Sequence, residues 1–161
     1  MTGQRLDRVV VAYRIGDPEG QFPIFDATGS TMYPGRWNTH DSPVIYAAPN
    51  FACAMLEVLA NLGDELPPNQ HYIEIVIPNG TSYEVVAPEA LPGWDRPDRS
   101  VSQQFGDTWC KSKRSALLYV PCLVARPERN ILINPAHPEF RGIAAGLHQP
   151  IVWDRRLFGN G

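Results

Sequence analysis

Long apolar runs are missing from this chain of 161 residues. No apolar segment follows Met1, so we expect no secretory signal peptide, and no stretch is long enough to span a bilayer. Neither sign of charge predominates, because 14 Lys and Arg residues against 17 Asp and Glu residues leave a net charge of −3. Such a balance gives no electrostatic attraction to nucleic acid. We therefore expect a cytoplasmic protein that binds neither membranes nor nucleic acids.

Cysteine is sparse, and its spacing argues against both disulfides and metal. The chain has three cysteines, an odd number, and none of them lies in a C-x-x-C pattern. They are typical of reduced thiols in a cytosolic protein. The four histidines are dispersed and lack the spacing of metal ligands, so we expect no metal site. The cysteines are Cys53, Cys110 and Cys122.

Proline, in contrast, is abundant, with 16 residues scattered along the chain. Scattered prolines indicate many loops and short elements. The length predicts one domain over residues 1–161 with a hydrophobic core of its own. Strand and helix patterns are mixed without a βαβ rhythm, which favours an α+β fold. We expect a mixed, mostly antiparallel sheet with flanking helices.

Local patterns predict where these elements lie. Residues 72–78 alternate between apolar and polar, and 82–86 are expected to pair with them across an Asn79-Gly80 turn. Residues 17–38 and 87–98 are rich in turn formers, and the first of these loops is long enough to be a lid over a ligand. Strands are further predicted at 8–15, 43–48, 117–125, 130–134 and the edge 150–158, and helices at 50–62 and 102–115.

The helix at 50–62 is amphipathic, and Gly63 is predicted to end it. Its apolar residues recur at helical spacing and are expected to face the core. Glu57 lies away from that stripe, beside small residues that would let a ligand approach its carboxylate. The predicted stripe consists of Phe51, Met55, Val58 and Leu62.

Four residue types in the first third of the chain suit one kind of ligand. Arg14 on a strand and Arg36 in a loop carry guanidiniums, which hold phosphates in a bidentate manner. Tyr46 offers a ring that stacks on a base, and Glu57 offers a carboxylate that stabilises a cationic sugar. Together they indicate an anionic dinucleotide whose glycosidic bond is broken.

The order of short motifs along the chain resembles that of RES-domain proteins. Each piece alone is common, but the joint order covers almost the whole chain. The motifs are Tyr13-Arg14-Ile15, Gly35-Arg36-Trp37-Asn38, Tyr46-Ala47-Ala48, Glu57, Gly106-Asp107-Thr108-Trp109, Val120-Pro121-Cys122, Asn130-Ile131-Leu132-Ile133-Asn134-Pro135, His137-Pro138 and Trp153-Asp154-Arg155-Arg156-Leu157.

This resemblance implies the toxin of a bacterial toxin–antitoxin pair, matched with an antitoxin of the Xre type. It also implies a fold similar to ADP-ribosyltransferase toxins. Members of the family consume NAD by hydrolysis or phosphorolysis, and some transfer ADP-ribose to a host protein. We therefore expect NAD as substrate, growth arrest on expression, neutralisation by the antitoxin and a homodimer within that complex.

The resemblance assigns roles to three residues that would act in the reaction. The family takes its name from an Arg, a Glu and a Ser, and the first two match Arg14 and Glu57. The Ser position follows Val120-Pro121, where this chain has Cys122. A thiol is a poorer hydrogen-bond donor than a hydroxyl. Cys122 is expected to keep the hydrogen-bonding role; the alternatives are a plain buried thiol and a nucleophile.

Three further residues are expected to bind NAD. Arg36 would reach phosphate, Tyr46 would stack on the nicotinamide, and Asn38 would hold the loop between them by bonding its backbone. Arg14 would also contact phosphate or ribose. An ordinary structural role remains open for each of these residues.

Three other functions compete with NAD degradation. The first is an ADP-ribosyltransferase that modifies a host protein through the same site. The second is an inactive NAD-binding or interaction module, for which Cys122 in the Ser position is the support. The third is an RNA-cleaving toxin, which is disfavoured because the chain lacks a basic surface and a paired histidine set.

Overall fold

Short strands and a few helices alternate irregularly along the chain. The computed structural model describes residues 3–62 and 65–159. The helices are α1 (Thr28–Met32), α2 (Phe51–Ala60) and α3 (Ser100–Ser112), with 3₁₀ turns at Pro88–Ala90, Pro138–Gly142 and Arg155–Phe158. The strands are β1 (Gln4–Arg5), β2 (Val10–Gly16), β3 (Ile45–Ala47), β4 (His71–Ile77), β5 (Ser82–Val85), β6 (Leu117–Pro121), β7 (Arg129–Ile133), β8 (Ala144–Ala145) and β9 (Gln149–Pro150).

The strands divide into two sheets. Within the described residues, one sheet has the order β1-β5-β6-β7-β3, and the other has the order β2-β4-β8 with β9 also on β4. The β5–β6 pair is parallel, and the other pairs are antiparallel. The expected α+β class with mostly antiparallel strands and flanking helices is therefore confirmed, as is the mixed character of the sheet.

One part of the hydrophobic core lies between the two sheets, and another part covers the outer face of the first sheet. Alternation along β4 turns Ile73, Ile75 and Ile77 inward, as predicted, and all three are buried. In β7 both faces are buried, because Ile131 and Ile133 join the cluster between the sheets while Leu132 joins a second cluster. An uninterrupted apolar strand is typical of a sheet covered on both sides.

The predicted hairpin between β4 and β5 is wrong. The chain leaves one sheet after β4 and enters the other at β5, where Tyr83 pairs with Leu117 in parallel and with Gln4 in antiparallel. Gly80, at φ 87°, makes the turn, and its N–H donates to Leu6 O. Alternation specifies which face of a strand is buried but not its partner, so this change of sheet left no signal.

Helix α2 begins as predicted but buries a different face. Asn50 caps it by accepting a hydrogen bond from the Cys53 N–H at 2.8 Å. The buried residues are Cys53 and Ala54, which pack against Ala48 and Tyr13, whereas the predicted apolar stripe is only partly buried. Small side chains let the helix approach β2 closely. Gly63, the predicted end of the helix, lies outside the described residues.

The C-terminal segment forms little of the predicted edge strand. Gln149 and Pro150 pair with β4, after which the chain turns into the 3₁₀ helix Arg155–Phe158, capped by Asp154. The strand predicted at 117–125 ends at Pro121. Within the described residues, no helix has both the length and the apolar character needed to cross a bilayer.

The two sheets meet where β2 touches β3 and then separate. Tyr13 and Ala48 exchange main-chain hydrogen bonds of 2.9 and 2.8 Å. In the described residues no further main-chain bridge joins β2 to β3, and the side chain of Arg14 donates instead to Tyr46 O at 2.8 Å. The separation opens a cleft between the sheets, next to α2.

Candidate active site

One cleft of about 700 Å³ gathers four of the six residues that the sequence singled out. Arg14 comes from β2, Arg36 from the loop before β3, Tyr46 from β3 and Glu57 from α2, and all four line the cleft. The volume lies in the range of small-molecule sites, about 300–1,000 Å³. A carboxylate therefore faces the same space as two guanidiniums and a phenol ring.

The carboxylate of Glu57 is held by two donors on one oxygen. Its Oε1 accepts a hydrogen bond from Asn130 Nδ2 at 2.8 Å and one from Cys122 Sγ at 3.2 Å. Among the described residues, no hydrogen bond engages Oε2 of Glu57. The arrangement fixes the orientation of the carboxylate and leaves one oxygen for a ligand.

Cys122 acts as a donor in this arrangement. Its side chain is 1% exposed, and its sulfur accepts a bond from the Ala125 N–H at 3.4 Å. Burial raises the pKa of the Cys122 thiol, and the Glu57 carboxylate adds to the rise. The group therefore stays a protonated thiol that donates to Glu57, which is opposite to the low pKa that a nucleophilic cysteine needs.

Asn130 is a site residue that sequence reasoning did not select. It begins the run Asn130-Ile131-Leu132-Ile133, where a polar residue opening an apolar strand was the available signal. Its Nδ2 donates to Glu57, whereas its Oδ1 is a buried acceptor without a partner among the described residues. An unpaired buried oxygen is uncommon in folded proteins and is often found at functional sites.

Arg14 carries a positive charge in the cleft wall that no carboxylate of the described residues neutralises. Its Nε donates to Ile24 O at 2.7 Å and its Nη1 to Tyr46 O at 2.8 Å. Among the described residues, Arg14 forms no ion pair. Burial lowers the pKa of its guanidinium, while the more distant Asp26 opposes that effect. A desolvated cation of this kind favours an anionic ligand.

Arg36 is anchored to the loop that precedes α3. Its Nη1 donates to Trp94 O at 3.1 Å and to Arg96 O at 2.9 Å. The neighbouring Trp37 stacks on Trp94 with ring centroids 6.2 Å apart. The Arg36 guanidinium is thus held at the cleft by main-chain oxygens, with nitrogen donors left for a ligand.

Tyr46 faces the cleft with its hydroxyl fully bonded. The hydroxyl donates to Asn38 Oδ1 at 2.6 Å and accepts from the Trp37 N–H at 3.1 Å. Burial raises the pKa of Tyr46 above its usual value, so the phenol stays neutral. A Cβ on Gly35 would lie 2.7 Å from the hydroxyl, which explains a glycine at that position.

Asn38 lies behind the cleft wall rather than in it. It is 0% exposed and does not line the cleft. Its Oδ1 accepts from the Gly35 N–H at 2.8 Å and from Tyr46, while its Nδ2 donates to three main-chain oxygens. Both polar atoms of this amide are used within the protein, so Asn38 fixes the loop that carries Arg36.

Among residues 3–62 and 65–159, no group of three or more His, Cys, Asp or Glu side chains is arranged to hold a metal ion. The polar groups that line the cleft include the Glu57 carboxylate, the guanidiniums of Arg14, Arg36 and Arg99, and the phenol of Tyr46.

Comparison with known proteins gives the family. The family model described as "RES domain" matches residues 11–154. The chain belongs to the RES domain family. A "Prs ADP-ribosylating toxin" of Sphingobium sp. (strain YBL2) is 41% identical to it over 134 residues, 80% of this chain and 83% of the relative. A "Toxin Res" of Pseudomonas putida is 31% identical over 134 residues, 81% of this chain and 90% of the relative.

A solved structure has the same fold as this RES domain. It is titled "Crystal structure of the M.tuberculosis MbcT-MbcA toxin-antitoxin complex", and it aligns with a TM-score of 0.71. The alignment covers 92% of this chain and 87% of the other at 16% sequence identity. At that identity the likeness concerns the fold.

Proposed function

We propose that this RES domain is the toxin of a bacterial toxin–antitoxin pair and that it breaks the bond between nicotinamide and ribose in NAD. The observation that carries the proposal is the orientation of Glu57, held on one oxygen, in a cleft that also contains the Arg14 cation. NAD offers a pyrophosphate to guanidiniums and a sugar that becomes cationic as the base departs.

The reaction needs charge stabilisation rather than an acid. The C1′–N1 bond breaks and its electron pair remains with nicotinamide, which leaves as a neutral base. The ribose passes through an oxocarbenium-like state, as in glycoside hydrolysis. Glu57 stabilises this state by accepting a hydrogen bond from a ribose hydroxyl through its free oxygen. Water or phosphate then attacks C1′ through oxygen and releases a proton to solvent.

The other residues of the cleft bind and orient the substrate. Arg14 contacts phosphate or ribose, Arg36 contacts phosphate, and the Tyr46 ring stacks on the nicotinamide. Cys122 acts through Glu57 as the donor that replaces the family Ser. In this proposal Asn38 contributes to NAD binding only by holding the loop that carries Arg36.

Transfer of ADP-ribose to a protein is the second candidate function. The relative from Sphingobium, 41% identical, is named "Prs ADP-ribosylating toxin", which favours this candidate. The acceptor oxygen or nitrogen would then belong to a host protein, and the cleft residues would keep their roles. The M. tuberculosis toxin–antitoxin complex supports a neutralising antitoxin as partner, which we propose to be of the Xre type.

NAD consumption by the purified chain tests the reaction. We expect free nicotinamide to appear, and Glu57→Gln to lower the rate about 100-fold or more, since a charge that stabilises the transition state is lost. Glu89→Gln is the matched control, because Glu89 is exposed and does not line the cleft. A rate that is unchanged in Glu57→Gln would contradict the role of this carboxylate.

The acceptor is identified by the same assay with two additions. A requirement for inorganic phosphate would indicate phosphorolysis, and activity without it would indicate hydrolysis. With NAD labelled on the adenylate side and a cell extract present, label on protein would indicate ADP-ribose transfer. NAD that binds but is consumed under none of these conditions would indicate the inactive module and overturn the proposal.

A further inference from the structure

A second cationic feature of the cleft wall consists of Arg36 and Arg99. Both residues line the cleft. Arg99 Nη1 reaches across to Pro34 O at 3.4 Å, next to the loop that carries Arg36. After burial, the charge of Arg99 is the largest cause of the lowered pKa of Arg36, so the two cations repel each other.

Neither cation is neutralised by a carboxylate within the described residues. The ion pairs formed by the described residues involve basic side chains other than Arg36 and Arg99. Asp95 attracts Arg36, but its carboxylate is bonded to Arg126 at 3.0 Å. An anion bound between Arg36 and Arg99 would replace their repulsion with two attractions.

The protein holds Arg99 in a specific and costly conformation. Its φ of 60° is left-handed, which costs a non-glycine residue about 1–2 kcal/mol. Hydrogen bonds from the Arg99 N–H to Arg96 O and from the Gln103 N–H to Arg99 O, 3.1 and 2.9 Å, fix it at the start of α3. Backbone strain of this kind is concentrated at ligand sites. The buried Trp94 anchors the same segment in the core.

We propose that Arg36 and Arg99 form a clamp for the pyrophosphate of a dinucleotide. The clamp rests on the proposed function, since the pyrophosphate is that of NAD, and it names the residues that would bind this group. Arg14 lies deeper in the cleft, against Ile24 O and Tyr46 O, and serves the ribose that reacts. The planar fork of each guanidinium suits a phosphate oxygen pair better than an ammonium does.

Calorimetric binding of ADP-ribose tests the clamp without relying on catalysis. We expect Arg99→Gln to weaken binding about 10-fold, the loss of one charge-assisted contact. Arg99→Lys should recover only part of it, since the charge returns without the fork. Arg96→Gln is the matched control, because Arg96 lies on the same segment, is exposed and does not line the cleft. Arg99 is itself exposed, so its variants should melt at the wild-type temperature.

The outcomes separate the clamp from the proposed function. Equal affinity of wild type and Arg99→Gln for ADP-ribose would overturn the clamp while leaving NAD as substrate. Binding of inorganic pyrophosphate that depends on Arg99, with no binding of ADP-ribose, would support the clamp and contradict the dinucleotide. If inorganic phosphate binds at the same time as ADP-ribose and its binding depends on Arg99, then Arg99 holds a phosphate acceptor and not the pyrophosphate of NAD. That result would overturn the pyrophosphate assignment.

Discussion

The thiol of Cys122 donates a hydrogen bond to Oε1 of Glu57 over 3.2 Å, from the residue after β6 to a side chain of α2. Asn130 donates to the same oxygen from β7. The carboxylate proposed to act on the ribose is therefore positioned by residues far from it in sequence, and each contact has a measurable consequence.

Replacing the thiol with a hydroxyl should improve the enzyme. We expect Cys122→Ser to raise kcat for nicotinamide release about 2- to 10-fold with little change in KM, because a hydroxyl donates a shorter and stronger bond to a carboxylate. Steady-state kinetics measure the effect. Cys110→Ser, at a buried cysteine outside the cleft, is the control. If Cys122→Ser proves slower than wild type, the thiol itself is required.

Removing the amide of Asn130 should lower activity while leaving stability almost unchanged. Asn130→Ala deletes the donor to Glu57, so kcat should fall about 10-fold. It also deletes a buried oxygen that has no partner among the described residues, and relief of that burial offsets the lost hydrogen bond to Glu57, so the free energy of unfolding should change by less than about 1 kcal/mol.

Asn134→Ala provides the contrast. Its amide donates to Cys110 O at 2.9 Å and accepts from the Ala136 N–H at 3.0 Å. Its loss should lower the free energy of unfolding by about 2–3 kcal/mol, measured in urea. If Asn130→Ala proves equally destabilising, its role is structural.

A methyl group on Gly106 should disrupt the cleft wall. The Cβ would lie 1.6 Å from Trp37 O, so α3 and the Arg36 loop would have to separate. We expect Gly106→Ala to lower the free energy of unfolding by about 3 kcal/mol or more. Gly3→Ala, which meets no atom within 4 Å, should leave stability unchanged. Wild-type stability of Gly106→Ala would contradict this packing.

Cys110 should contribute to a fall in stability in alkaline solution. Burial raises the pKa of its thiol from 9.0 to about 11. The unfolded chain therefore loses this proton first, so the contribution of Cys110 is complete below pH 9 and is lost as the pH rises towards 11. One such group accounts for at most about 1.4 kcal/mol per pH unit. Urea unfolding of Cys110→Ala should show a shallower decline than wild type; parallel curves would contradict the assignment.

Arg14 should not tolerate lysine. A single ammonium cannot bond both Ile24 O and Tyr46 O while facing a ligand. We expect Arg14→Lys to raise the KM for NAD about 10-fold and to cost about 1–2 kcal/mol of stability. Arg141→Lys, at an exposed position outside the cleft, serves as the reference. A variant that matches wild type in both quantities would exclude the bridging role.

The sequence predicted which face of a strand is buried better than it predicted which elements pair or pack together. Alternation in β4 identified its buried isoleucines, because burial follows directly from a period of two. The partner of β5 depends on a chain crossing between sheets at Gly80, which leaves no periodic trace. Helix α2 packs through Cys53 and Ala54 because small side chains permit close approach, an effect that hydrophobic spacing alone does not record.

The cleft was predicted from residue types and motif order together. Arg14, Arg36, Tyr46 and Glu57 line one cleft, although they lie on four different segments of the chain. The sequence did not predict Asn130 as a site residue, because its role depends on the register of β7 against β6, where it pairs with Val120. Such register is a tertiary property.

The loop that the sequence presented as a lid is instead built into the wall. Gly35 is held from both sides, by Asn38 on its N–H and by Gln103 Nε2 on its oxygen at 2.9 Å, while Trp37 is 3% exposed. A ligand that enters the cleft thus meets a loop segment, residues 35–38, that is already hydrogen-bonded to its neighbours. Association should proceed in one step, at a rate set by diffusion and ionic strength, with no slow closing phase.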